Sequence, residues 1–298
     1  MYSFDECRLC PRSCAANRID KKGFCGAPSQ LKAARAALHF GEEPCISGTK
    51  GSGTVFFSGC NLRCCFCQNY EVSHDIFGKE ISAAELSKIF LRLQNEGAHN
   101  INLVSGTPYV PLIIDALNQA GEKLHIPIVY NSSGYESLET LTMLDGYIDV
   151  YLPDFKYFSS ELSAKYSAAA DYADIALPAI KEMLRQTGSP IFNNEGILQK
   201  GTVIRHLVLP NHSGDSIRVL QLLADELPRG EFLLSLMSQY TPDFLHGDFP
   251  ELSRKLTSYE YNKVVKEALR LGLDRGYMQD RSSIGTAYTP HFGLEGIE

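Results

Sequence analysis

The sequence predicts an α/β fold built on a parallel sheet covered by helices. Three observations carry that expectation. Strand-like and helix-like stretches alternate along most of the chain. The strand-like stretches are apolar throughout instead of alternating, as parallel strands buried on both faces should be. The stretches between them are long enough for right-handed helical crossovers.

The elements follow in order. Residues 54–57 are a short β-favouring run. Residues 82–96 open on Ser82 with Glu85 three positions on, a capping box, and carry apolar residues at helical spacing. Gly97 suits the end of that helix. Residues 101–104 read as a buried strand and 110–120 as a helix ending near Gly121. Residues 126–130 are strand-like despite Pro127. A short helix is expected over 136–144 and a strand over 147–152. Residues 164–185 should be helical in two pieces, broken near Pro178. The rest reads as strand 202–209, helix 216–227, strand 232–237 and helix 258–271. That makes about six βα units. Periodicity alone leaves open whether the sheet is doubly wound or curled into a full or partial barrel. In either case ligands should bind beyond the carboxyl ends of the strands.

The chain has 298 residues, 44% hydrophobic and 21% charged, enough for a sizeable core. Net charge is -7 and no Lys/Arg block is long enough to act as a nucleic-acid or membrane footprint. No apolar run approaches the roughly 20 residues that span a bilayer. The first ten residues lack the basic and apolar regions of a signal peptide. A cytoplasmic protein is expected, without nucleic-acid or membrane partners.

Nine cysteines in a reducing compartment point to metal or cluster ligation ahead of disulfides. Four lie between Cys7 and Cys25, Cys45 stands alone, and four lie between Cys60 and Cys67. We expect a cysteine-rich metal or Fe-S module over 1–48 and the main domain over 49–298, joined through the Gly- and Ser-rich segment 47–53.

Cys60, Cys64 and Cys67 directly follow the first expected strand, at the spacing C-x3-C-x2-C. Three thiolates can hold three corners of a cubane [4Fe-4S] cluster and leave the fourth iron open. An open iron can chelate the amino and carboxylate groups of S-adenosylmethionine, and one electron then cleaves a carbon–sulfur bond. Cys65 reads as a buried thiol that does not ligate, because adjacent side chains do not easily reach one cluster.

The segment matches the radical S-adenosylmethionine (SAM) motif CxxxCxΦC, with Phe66 as the aromatic residue. Segments 43–48, 51–54 and 205–210 resemble the PflX family, a group related to pyruvate formate-lyase activating enzymes. The resemblance runs over essentially the whole chain. It implies a partial TIM-like (β/α)6 barrel with a small cysteine-rich N-terminal module and a C-terminal extension. It also implies an oxidoreductase that reductively cleaves SAM to a 5'-deoxyadenosyl radical.

The same resemblance implies site residues. The turn Ser105-Gly106-Thr107 takes the place of a Gly-Gly-Glu-like turn that receives the methionyl amino group. Its carboxylate is absent, which leaves backbone carbonyls and Thr107 as acceptors. Asn131, Ser132, the Leu152 carbonyl and Asp154 match a monovalent-cation site beside the cofactor carboxylate, with Asn131 replacing a carboxylate. Lys156 would pair with that cofactor carboxylate or steer polar substrate. Arg205, in an apolar strand, needs an anionic partner, either the cofactor carboxylate or Asp154. His206 should face the opposite way. Asn211 stands where the relatives have Gly. Gln239, Tyr240 and the tyrosines after strand ends are either pocket residues or packing.

Cys7-x2-Cys10-x3-Cys14 with Cys25 is a second metal signature, suited to tetrahedral zinc or a second cubane, with Cys45 as a substitute ligand. A module this small would draw folding energy from its metal. Expected partners are flavodoxin or ferredoxin as electron donor. The substrate is a glycyl-radical protein, a peptide or a small molecule. The alternative is an iron-sulfur electron carrier or a metal-stabilised interaction protein without SAM chemistry.

Overall fold

The computed structural model describes residues 4–279 and 290–297. The first three residues of the expected N-terminal module, and residues 280–289 and 298 of the expected C-terminal extension, lie outside the described residues.

After the N-terminal cysteines the chain forms β1 (Leu31–His39), a helical turn α1 (Pro44–Ser47) and β2 (Ser52–Phe57). The loop beyond β2 contains α2 (Tyr70–Ser73) and leads to β3 (Lys79–Ile81). Alternation then sets in: α3 (Ala83–Asn95), β4 (Ile101–Val104), α4 (Val110–Ala120), β5 (Ile128–Ser132), α5 (Leu138–Leu144) and β6 (Val150–Pro153). It continues with α6 (Ser160–Ser167), α7 (Tyr172–Thr187), β7 (Ile191–Phe192), β8 (Leu198–Leu207) and α8 (Ser213–Glu226). β9 (Leu233–Met237), α9 (Ser258–Arg270) and β10 (Gly276–Met278) close the order.

The sheet runs β10-β9-β8-β6-β5-β4-β2-β1-β3. The strands from β2 through β10 along that path pair in parallel, and β1 and β3 add an antiparallel edge. Every residue of β2, β4, β5 and β6 is buried, polar Thr54, Asn102 and Asn131 included, as parallel strands covered on both faces require. β4 and β8 stand three places apart, about 14 Å in a flat sheet. Yet Asn102 of β4 and Arg205 of β8 both hydrogen-bond the carboxylate of Glu42. Side chains of β4 and β8 thus converge on one carboxylate, as on the inward face of a curled sheet. Its outer strands β3 and β10 do not pair with each other among the described residues, so the barrel is partial.

The Ser82–Glu85 capping box forms as read: Ser82 Oγ accepts from Glu85 N at 3.1 Å and Glu85 accepts from Ser82 N at 2.7 Å. The expected break near Pro178 is corrected. Pro178 lies inside α7, and the chain breaks at Ala168 in left-handed conformation, φ 52°. Arg12 holds the carbonyls of Ser167 and Ala168 there, while buried Ala176, Ala179, Ile180 and Met183 keep α7 intact across the missing proline N–H. β1 was not expected. It precedes residue 48 and pairs with β2 from Ala33 to His39.

Candidate active site

The loop beyond the carboxyl end of β2 carries Cys60, Cys64 and Cys67. Its backbone is tied down from outside: Gly59 N donates to Val72 O at 2.9 Å and Arg12 Nε donates to Asn61 O at 3.0 Å. Each of the three sulfurs has a hydrogen-bonding neighbour. Leu62 N donates to Cys60 Sγ at 3.4 Å and Ser167 Oγ to Cys64 Sγ at 3.0 Å, and Ser73 Oγ lies 3.2 Å from Cys67 Sγ. Burial pushes all three thiols up, Cys67 to about 11, while the positive charge of Lys156 acts in the opposite sense on each. Cys60, Cys64 and Cys67 also sense one another's charge.

Cys65 is held differently. Its N–H donates to Tyr166 O at 2.8 Å and its carbonyl accepts from His246 N at 2.7 Å. Burial pushes its thiol up to about 12, with the adjacent Cys64 and then Glu251 adding to the rise and Lys165 opposing it. Phe66 packs edge-on against Tyr240, with ring centres 6.0 Å apart.

A charged cluster occupies the barrel interior. Arg205 Nε donates to Asp154 Oδ1 at 2.9 Å, Nη1 to Glu42 Oε2 at 3.3 Å and Nη2 to Asn131 Oδ1 at 2.6 Å. Lys156 Nζ donates to the other Asp154 oxygen at 2.5 Å. Asn131 and Asn102 donate to Glu42 Oε1 at 3.2 and 3.1 Å. Burial alone would raise the Asp154 carboxyl; Arg205 and Lys156 outweigh it and hold the group below its ordinary value. Burial raises Glu42, which Arg205 only partly counters. Arg205 thus finds the expected Asp154 and also Glu42, which sequence reasoning missed. The need of a buried guanidinium for an anion was the available signal; nothing local to residue 42 pointed back to Arg205.

Beyond β4, Ser105 is left-handed with φ 59°, and its N–H donates to Asn131 O at 3.0 Å. A Cβ on Gly106 would stand 2.8 Å from Ile113. Thr107 Oγ1 donates to buried Glu136 at 2.7 Å, so that hydroxyl is already engaged. Ser132 accepts from Gly134 N through its hydroxyl at 3.2 Å and from Asp154 N through its carbonyl at 3.0 Å. Leu152 of β6 is in register with Asn131.

His206 is buried with Nδ1 2.6 Å from Phe155 O. Asn211 adopts φ 66°, the left-handed conformation that favours glycine and that Asn tolerates. The tyrosines after the strands are anchored: Tyr109 to Ser58 O, Tyr135 to Asp171, Tyr157 to Ser167 and Tyr240 to Leu252 O. Gln239 accepts from Gln279 Nε2 at 3.0 Å.

The N-terminal knuckle is closed by Cys7 N donating to Ala16 O at 3.0 Å and Ser13 N donating to Cys10 O at 2.9 Å. It docks on the turn after β4 and on the start of α5, where Arg18 Nη1 donates to Pro108 O at 2.5 Å and Thr140 Oγ1 to Leu9 O at 2.6 Å. Cys7, Cys10, Cys14 and Cys25 line one cavity with Asn61 and Thr107. Cys45 does not join them; it is buried in a separate apolar cluster with Val129, Val150 and Leu233.

The sequence profile of the radical SAM superfamily matches residues 54–223, more than half of the chain. The chain belongs to the radical SAM superfamily. This radical SAM protein is 31% identical over 284 residues to an uncharacterized protein, MJ0674, of Methanocaldococcus jannaschii, covering 92% of this chain and 77% of that one. It is 29% identical over 113 residues to a pyruvate formate-lyase-activating enzyme of Clostridium pasteurianum, covering 36% of this chain and 46% of that one. Its fold is similar to that of methylornithine synthase (PylB), with a TM-score of 0.50 and 17% identity. That match spans 73% of this chain and 60% of the other.

Membership implies a [4Fe-4S] cluster and SAM. When bound, the pair supplies one-electron cleavage of the sulfonium. Three cysteine sulfurs on one loop beyond β2, each with a polar neighbour, form a donor set that suits such a cluster. Among the described residues, no three His, Cys, Asp or Glu side chains converge tightly enough for a single metal ion. Ligands to the corners of a cubane stand farther apart than ligands to one ion, so this spacing is compatible with the cluster. No disulfide joins two cysteines among the described residues. No helix among the described residues is long and apolar enough to cross a membrane.

Proposed function

We propose that Cys60, Cys64 and Cys67 hold the cluster at which SAM is reductively cleaved to methionine and a 5'-deoxyadenosyl radical, which then abstracts hydrogen from a substrate. The observation that carries this reading is the three-sulfur set beyond β2, each sulfur with its own polar neighbour. In this reading Lys156 attracts the cofactor carboxylate from the side of the cysteines. Phe66 packs beside the adenine end, and the backbone of Ser105 and Gly106 receives the ammonium. Asn131, Ser132, Asp154 and Arg205 form the floor beneath the cofactor. Asp154 already carries Lys156 and Arg205, so a monovalent cation at that turn would have to displace one of them. Cys7, Cys10, Cys14 and Cys25 form a second metal centre.

For the substrate, the likeness to a pyruvate formate-lyase-activating enzyme supports a glycyl-radical-enzyme activase of the kind the PflX resemblance implies. The departures at Asn131 and Asn211 and the cysteine-rich N-terminus favour a second reading, a modifying enzyme for a peptide or small molecule. Reduced flavodoxin or ferredoxin serves as donor, in a reducing cytoplasm, which suits cysteines that form no disulfide among the described residues.

The test is anaerobic reconstitution with iron and sulfide, reduction, and chromatographic measurement of 5'-deoxyadenosine. Product above that of the Cys64→Ala protein supports the reading; none above it overturns it. Electron paramagnetic resonance (EPR) trapping of a glycyl radical on a partner protein separates the two substrate classes.

A further inference from the structure

We propose that two chains of hydrogen-bond donors end on the cluster's sulfurs, Tyr157–Ser167 on Cys64 and His74–Ser73 on Cys67, and that these four positioning residues raise the cluster's reduction potential. The inference rests on the reading of Cys60, Cys64 and Cys67 as cluster ligands. It goes beyond that reading by assigning what sets the ease of reduction.

Counting hydrogens gives each chain its direction. Ser167 Oγ lies 3.0 Å from Cys64 Sγ and 2.8 Å from Tyr157 Oη. Ser73 Oγ lies 3.2 Å from Cys67 Sγ and 2.8 Å from His74 Nδ1. A metal-bound thiolate carries no hydrogen and can only accept. Each serine must then aim its one hydroxyl hydrogen at the sulfur. Its oxygen is left as the acceptor, so Tyr157 O–H and His74 Nδ1–H donate to it. A hydroxyl polarised from behind in this way is a stronger donor in front.

The groups at the back of each chain are held in place. Tyr157 and Ser167 are buried, and so is Ser73. The His74 ring stacks on Tyr70, with ring centres 4.2 Å apart and planes 9° from parallel. Tyr70 stacks in turn on His246 at 3.5 Å, and His246 N donates to Cys65 O at 2.7 Å. The stack is thus anchored on the cysteine loop itself. Backbone bonds already tie the same segments together: Gly59 N donates to Val72 O at 2.9 Å and Cys65 N to Tyr166 O at 2.8 Å. The side chains add donors at sulfur to a loop that the backbone already holds.

Reduction by one electron makes the cluster and its sulfurs more negative. A donor aimed at sulfur gains strength with that charge, so it favours the reduced state. The electron comes from a flavodoxin- or ferredoxin-class donor, which is oxidised by one electron, and each proton stays on its own serine. Cys60 differs from the other two, because its neighbour is the backbone N–H of Leu62.

The test is a potentiometric titration of the full chain, reconstituted anaerobically and followed by EPR without SAM. The signal followed is the one that shifts when SAM is then added. Ser73→Ala and Ser167→Ala should each lower the reduced-to-oxidised ratio at a fixed potential about tenfold, or 59 mV for one electron. His74→Phe keeps a flat ring against Tyr70, and Tyr157→Phe removes only the hydroxyl; both should shift the potential the same way by a smaller amount. Ser73→Thr keeps the donor and should stay close to wild type. Unchanged potentials in the two alanine proteins, with the cluster intact, overturn the proposal. Loss of the cluster in all four alanine and phenylalanine proteins also overturns it, since the groups would then build the site and not tune it. A wild-type protein without a SAM-responsive cluster overturns the ligand reading first, and this proposal with it.

Discussion

The backbone amide of Cys60 donates to the carbonyl of Cys25 at 3.3 Å, so two cysteine groups separated by two strands in sequence share one hydrogen bond. Gly59 makes that approach feasible. Its φ is +92°, and a Cβ there would stand 2.9 Å from the Cys25 oxygen and 3.0 Å from Ala27.

Gly59→Ala should therefore push the two segments apart and strain the backbone. We expect about 1–3 kcal/mol of destabilisation, read as a lower midpoint in urea. Cluster spectra of the folded fraction should change at both cysteine groups. A change at neither would show that the close approach is incidental.

Arg205→Met should leave Asp154 and Glu42 buried in the barrel with a large part of their compensating charge removed. The expected loss is about 3–5 kcal/mol, measured by denaturant titration. Arg205→Lys should recover only part of it, because one ammonium cannot reproduce the three separate bonds to Asp154, Glu42 and Asn131.

Cys65→Ala and Cys64→Ala should differ sharply. The first removes a thiol on a residue whose backbone is tied to Tyr166 and His246, and should leave cluster content and 5'-deoxyadenosine formation near wild type. The second removes the sulfur that accepts from Ser167 and should abolish both. Equal loss in the two proteins would show that Cys65 ligates.

Lys156→Met should weaken SAM binding about tenfold, near 1.4 kcal/mol, in a spectroscopic titration of the reconstituted protein. The change also leaves Asp154 with one cation fewer, so stability is measured in parallel. Unchanged affinity would place the ammonium outside the cofactor's reach.

Glu260 caps α9 through Thr257, binds Arg254 and accepts from Asn211 N at 2.7 Å. The Arg254 bond holds its carboxyl well below the usual range, against a smaller opposing effect of burial. A depressed folded-state value means the stabilisation is complete above the unfolded value, about 4.3, and fades as pH falls towards the folded one. Glu260→Gln should cost about 1 kcal/mol at pH 7 and show a shallower loss of stability on acidification. A parallel acid profile for both proteins would rule this group out as a contributor.

The sequence by itself determined the parts whose signals are local. Apolar runs marked the parallel strands, a Ser–Glu pair marked the start of α3, and cysteine spacing marked both thiol groups. Tertiary structure decided what depends on partners distant in the chain. β1 reads Leu-Lys-Ala-Ala-Arg-Ala-Ala-Leu-His, with little β-propensity, and becomes a strand because β2 and β3 flank it. Pro178 stays within a helix because packing outweighs one missing hydrogen bond. Glu42 meets Arg205 because β8 and the β1–β2 connection face one interior, and Cys25 meets Cys60 because antiparallel pairing returns the end of β2 to the start of β1; no sequence pattern connects either pair.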